Sequence, residues 1–119
     1  MEPEELTKKV DLAFLSAFYG GMLTDKQRQV LSLHCEEDLS LSEIAEEVGI
    51  SRQAVHETLT RAADKLNTLE SSLGAAARYR RMESGLEEAL RLLDKQDYNR
   101  ARSLLRKMLS WETEENNGI

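Results

Sequence analysis

Three features of the chain predict an all-α fold. Apolar residues recur at three- and four-residue steps along most of its length, Ser/Thr-x-x-Glu/Gln capping signals stand where helices should start, and glycines stand where they should stop. Composition agrees. Apolar types make up 40% of the 119 residues, aromatics only 5%, and there is one Pro, which suits one small helical domain or two helical units.

The elements follow in order. A first helix is predicted over 6–22, with Leu6, Val10, Ala13, Phe14, Ala17 and Phe18 as its inward stripe and Gly20-Gly21 marking its end. Thr24 opens a second helix, with Gln27 in the capping-box position, and Val30, Leu31, Leu33 and His34 supply its buried or half-buried side. Glu36-Glu37-Asp38 is a charged stop. Ser40 and Glu43 form another capping box before a third helix over 41–48, whose Leu41, Ile44, Ala45 and Val48 share one stripe. Gly49 stands where a left-handed residue ends a helix sharply, Ile50 closes the turn, and Ser51 is the N-cap candidate of a fourth helix over 51–73. Val55, Leu59, Ala62, Leu66, Leu69 and Leu73 alternate steps of four and three and give that helix one continuous apolar seam. Two short helices crossing at a Gly-containing turn is the arrangement that lays a second helix in the DNA major groove.

Gly74 is a C-cap signal, and Ala75-Ala76-Ala77 starts a fifth helix with Met82, Leu86, Ala89, Leu90 and Leu93 inward. Asp94 to Tyr98 reads as a turn. A sixth helix carries Ala101, Leu104, Leu105 and Met108 and reaches toward Trp111. The expected organisation is a helix-turn-helix domain over 1–74, a helical hairpin over 75–111 and a flexible tail over 112–119. The run EEALRLLDKQDYNRARSLLRKML looks like one tetratricopeptide-type helix pair, and a stable solenoid needs about three.

The chemistry lies on the outward side of the fourth helix. Arg52, Gln53, His56, Glu57, Thr60 and Arg61 fall mostly opposite the apolar seam. Arg forks onto guanine, Gln onto adenine, and Glu accepts from cytosine N4. Ser51 and the open amides of the first turn suit a phosphate at the positive end of the helix dipole. Charge works against tight binding. Residues 1–74 carry 7 Lys/Arg against 14 Asp/Glu, and within 51–66 the balance is +1 with His56 neutral. Phosphate neutralisation supplies most non-specific DNA affinity, so weak binding, or binding helped by dimerisation or a partner, is expected. The seam from Val55 to Leu73 together with the hairpin exceeds what a short three-helix core needs, which points to a homodimer. Between 78 and 107 nine basic residues face five acidic ones, interleaved as on a solvated, ion-paired surface.

No catalytic set is visible. His34 and His56 lie on different predicted helices with no nucleophile placed beside either, and no glycine-rich phosphate loop is present. A non-enzyme without a cofactor is expected. The single Cys35 has no companions at metal-site spacing and reads as a residue of the core or its margin. No apolar run approaches the ~18 residues needed to span a membrane. The acidic MEPEEL start lacks the parts of a signal peptide, so a cytoplasmic protein is expected.

The segment LTDKQRQVLSLHCEEDLSLSEIAEEVGISRQAVHETLTRAADKL resembles the promoter-reading C-terminal domain of bacterial sigma factors. More specifically, the blocks FYG-x-x-LTDKQR and DLSL-x-EIAEE-x-x-x-SRQAV are similar to the YlxM family of small bacterial proteins. That resemblance covers about 1–75, and the hairpin by general character only. It implies a sigma-like helix-turn-helix bundle, a DNA-binding regulatory role with RNA as the alternative ligand, and a link to the signal recognition particle pathway and its components. A protein- or RNA-binding adaptor of the secretory targeting machinery is the other role it leaves open. By the sigma-like pattern, Arg52, Gln53, His56 and Glu57 read bases, with Thr60 and Arg61 one turn on, and Lys26 and Arg28 touch phosphate. His56 and Thr58 depart from the pattern: the sigma-like domain tends to be basic at the first place and apolar at the second.

Overall fold

The computed structural model describes the backbone of residues 3–117 and the side chains from Lys9 to Trp111. Among the described residues it forms helices α1 (Pro3–Tyr19), α2 (Asp25–Cys35), α3 (Leu41–Val48), α4 (Arg52–Leu73), α5 (Ala75–Asp94) and α6 (Tyr98–Asn117), with a 3-10 turn at Gly20–Met22 and no strand. The fold is all-α. None of these helices is long and apolar enough to cross a membrane. The chain divides into two compact units, Met1–Ala76 and Ala77–Ile119.

The first unit is α1 to α4 packed around two apolar clusters. Val30, Ile44 and Val55 are sealed together, with Leu33, Leu39, Leu41, Ala45, Val48 and Ile50 around them. Leu15, Tyr19, Leu23, Leu31, Ala62, Leu66 and Ala76 form the other, and Leu59 borders both. The helix ends are built as their sequences specify. Thr24 with Gln27 and Ser40 with Glu43 both form complete capping boxes. Gly49 takes φ 80°, and its amide and that of Ile50 both donate to Ala45 O, at 2.9 and 3.1 Å. This left-handed closure is open to glycine at no steric cost. Gly74 ends α4 in the same way at φ 64°.

Contacts remote in sequence complete the unit. Lys9, a buried lysine, pairs through Nζ with Asp38, whose backbone is left-handed at φ 56°. The lysine holds the Asp38 carboxyl below the usual carboxylate range. Cys35 is half-buried as expected, its Sγ lies 3.5 Å from Lys9 O, and burial pushes its thiol up. Tyr19 OH donates to Glu70 Oε1 at 2.5 Å and accepts from Ala75 N at 3.0 Å, while Ala76 N donates to the same carboxylate oxygen at 3.1 Å. Tyr19 and Glu70 therefore cap the first turn of α5. Burial and the Glu70 hydrogen bond raise the Tyr19 pKa.

Two predicted stripes are rotated. On α1 the inward residues are Leu12, Leu15 and Tyr19, and Phe14 of the predicted stripe packs against the same cluster. Val10 is 68% exposed, Ala13 and Ala17 are exposed, Phe18 is at the margin of exposure, and Phe14 is half-buried; the Leu6 side chain lies outside the described residues. The helix carries two apolar stripes, and the inward one holds Tyr19, whose hydroxyl bonds Glu70 on α4. On α5 the inward residues are Gly85, Ala89 and Leu92, with Met82 half-buried. Leu86, Leu90 and Leu93 face solvent. The small residues win because they let two helices approach closely. A Cβ on Gly85 would stand 2.7 Å from Met108 Sδ.

The second unit is thus an αα-hairpin with a narrow seam of Gly85, Ala89, Leu92, Ala101 and Met108, Leu104 half-buried beside it, and Leu105 exposed. Gln96 at φ 62° turns the chain, and Asp97 N bonds back to Leu92 O at 2.8 Å. The Arg81 guanidinium lies 3.9 Å from the Trp111 ring centroid, a cation–π contact. Helix α6 continues as far as Asn117. The tail expected over 112–119 otherwise lies outside the described residues.

Candidate nucleic-acid interface

Helix α4 owes its orientation to the seam behind it. Val55, Ala62 and Leu66 are fully buried, and Leu59 and Leu69 half-buried, while Leu73 at the far end is 47% exposed. Helices α1, α2 and α3 all pack on α4. The seam is therefore covered within one chain and does not by itself call for a second copy.

At 100° per residue, Gln53, His56, Glu57 and Thr60 form a strip on the side away from this seam, flanked by Arg52 and Arg61. All six are exposed. Ser51 caps the helix, its Oγ accepting from Ala54 N at 3.0 Å. The first intrahelical bond runs from Val55 N to Ser51 O at 3.0 Å. The amides of Arg52 and Gln53 thus point out of the positive end of the dipole without an intrahelical acceptor. The Ser51 hydroxyl hydrogen is still available to donate. This corner has the donors an anion needs.

The candidate residues are not equally available. Thr60 Oγ1 donates to His56 O at 2.9 Å, so its hydroxyl hydrogen is taken up within the helix and its oxygen remains as an acceptor. Arg28 pairs with Asp25 and also reaches Gly20 O at 3.4 Å, so a phosphate would compete with both. Lys26 is exposed on the first turn of α2 and takes part in no ion pair among the described residues. Thr58, where the sigma-like pattern is apolar, is half-buried and returns its hydroxyl hydrogen to Ala54 O at 2.8 Å. The departure is thereby accommodated without a stranded polar group.

The acidic neighbourhood was visible in the composition, but its position was not. Leu39, Glu43, Glu46 and Glu47 line a shallow depression along α3. In helix-turn-helix complexes the first helix of the motif crosses the sugar-phosphate backbone, so these carboxylates oppose close approach of a duplex there. Glu43 is the exception in function, since the Ser40 amide and hydroxyl engage it and hold its carboxyl below the usual range. Among the described residues no group of His, Cys, Asp and Glu is arranged to hold a metal.

Comparison with known proteins matches this architecture. A UPF0122 protein of Desulforamulus reducens is 42% identical over 80 residues, 67% of this chain and 68% of the relative. One from Symbiobacterium thermophilum is 40% identical over 94 residues, covering 79% and 88%. A third, from Halalkalibacterium halodurans, is 37% identical over 91 residues, covering 76% and 84%. The family model described as "Putative helix-turn-helix protein, YlxM / p13 like" matches residues 6–102, through both helices of the motif and into the hairpin, and the chain belongs to that family, UPF0122.

Proposed function

We propose that this protein is a DNA-binding regulatory protein that reads duplex DNA with the outer face of α4. The observation that carries this reading is the exposed strip of Gln53, His56 and Glu57 between Arg52 and Arg61, beginning at an open helix N-terminus. In the proposed pose, the Arg52 and Gln53 side chains reach base edges while their amides and Ser51 hold a phosphate. Arg61 and Lys26 supply phosphate contacts, and Arg28 joins them only by giving up Asp25. One copy brings few cations to the duplex, and the α3 carboxylates subtract from them. Binding is therefore weak per copy, with a shallow salt dependence set by the few phosphates one copy neutralises. A cytoplasmic setting and a link to the signal recognition particle pathway extend the family resemblance.

The acidic edge at Glu43, Glu46 and Glu47 favours a second reading, an adaptor in the secretory targeting machinery that meets a basic protein surface; the same carboxylates repel the phosphates of structured RNA as they do those of DNA. The two separate on one titration. Binding of the full chain to duplex DNA is measured at low and moderate salt, beside the Arg52→Ala variant. The DNA reading expects salt-sensitive binding that falls by about five- to a hundredfold in the variant, corresponding to ~1–3 kcal/mol. Equal affinity of the two proteins rules out base reading by Arg52 and leaves the adaptor.

A further inference from the structure

The hairpin carries a surface that the DNA reading does not use. Leu86, Leu90 and Leu93 on α5 are 51, 60 and 41% exposed, and Tyr98, Leu105 and Leu109 on α6 are 56, 38 and 77% exposed. On α5 these residues lie about 100° round from the Gly85–Ala89–Leu92 seam, and on α6 by a similar angle from the Ala101–Met108 seam. The two helices are antiparallel, so equal rotations bring both sets to the same side of the hairpin. The result is one apolar face rather than two scattered groups. Its five leucines alone leave on the order of 500 Å² of side chain in water, near the upper end for a monomer's largest patch.

The borders of this face differ in sign. Beyond the leucines of α5 come Glu83, Glu87 and Asp94, and beyond those of α6 come Arg102 and Arg106. All five are exposed, and none is in an ion pair among the described residues. A surface with an acidic edge, an apolar centre and a basic edge complements itself. Rotation about a two-fold axis in the interface plane and parallel to the helices lays α5 of one copy on α6 of the other. Neighbouring helices then run antiparallel and each acidic edge meets a basic one. Gly85 sits opposite Met108. Two residues onward on α5 and two back on α6 place Glu87 and Arg106 at one level, where they meet across the axis.

We propose that this face is where two copies of the chain pair, hairpin on hairpin, as an antiparallel four-helix bundle. The leucines of the two copies remove on the order of 1,000 Å² in total from water, the lower bound for a specific interface, so the dimer is reversible and concentration-dependent. The inference is independent of what α4 binds. A paired molecule would nevertheless carry two reading helices, which offsets the thin charge of each.

Sedimentation equilibrium of the full chain across a concentration series tests this. The expected result is a monomer–dimer equilibrium. Leu90→Glu should raise the dissociation constant by about thirtyfold or more, since it places a charge in the centre of the patch. Glu87→Arg and Arg106→Glu should each weaken pairing and together restore it, a pattern that loss of folding would not produce. A wild-type chain that stays monomeric at high concentration overturns the proposal. So does a dimer that Leu90→Glu and the charge exchanges leave unchanged.

Discussion

The two units of this chain treat their leucines in opposite ways. In Met1–Ala76, α1, α2 and α3 surround α4, and Leu15, Leu23, Leu31 and Leu66 are buried. In Ala77–Ile119 each helix has one partner within the unit, the seam is made mostly of small residues, and Leu86, Leu90, Leu93, Leu105 and Leu109 remain in water. A helix amphipathic over a wide arc needs more than one neighbour to cover it. The first unit supplies those neighbours and keeps its polar strip outward. The second does not, and its outward side stays apolar. The two proposals read this difference as a division of labour: the closed unit offers polar chemistry for recognition, the open one an apolar face for pairing.

The contrast is broken most forcefully at Leu66. It is fully buried, so Leu66→Ala should cost about 2–5 kcal/mol, whereas Leu90→Ala, at an exposed site, should change the folding stability of the monomer by less than about 0.5 kcal/mol. Chemical denaturation of both variants at low concentration checks this. Similar losses at the two sites would mean that the hairpin leucines are as enclosed as the core.

Smaller effects sharpen it. Gly49→Ala puts a Cβ at φ 80° without a steric neighbour, so its cost is backbone strain of about 1 kcal/mol. A melting temperature equal to that of the wild type would show that the turn relaxes. Ser51→Ala removes the cap on Ala54 N and should cost ~1 kcal/mol of stability while also weakening any anion bound at that end. Urea unfolding and a phosphate titration read the two losses separately.

The smallest effect is electrostatic. Ser40 lowers the Glu43 pKa and Lys9 lowers that of Asp38. A depressed carboxyl adds stability above its unfolded pKa and loses it as pH falls through the folded value. The melting temperature should therefore decline below about pH 4. The gap between the wild type and Glu43→Gln should close over the same range, because both side chains are then neutral. A constant gap down to acid pH would contradict this.

How much of this was legible depended on the range of the signal. The caps at Thr24, Ser40 and Ser51 and the stops at Gly49 and Gly74 are local grammar, and each forms as its spacing indicates. The seam of α4 was legible because one period runs unbroken from Val55 to Leu69. The inward stripe of α1 is marked by long-range contacts such as the Tyr19–Glu70 bond, which spans 51 positions and leaves no trace in periodicity. On α5 the largest apolar residues suggested the inward face, but a two-helix seam favours the side whose side chains allow close approach. The candidate reader was legible as residue types on one helical face. The back-bond of Thr60 and the diversion of Arg28 to Asp25 and Gly20 were not, because both depend on rotamers.

The central claim is that α4, not the hairpin, recognises DNA, and selection from a library of random duplexes tests it most directly. The full-length wild type should enrich a defined motif. Arg52→Ala with Gln53→Ala should lose that motif, while Leu90→Ala should retain the half-site even where pairing is weakened. A wild-type protein that enriches no motif, or a doubly substituted one that enriches the same motif, would contradict the account.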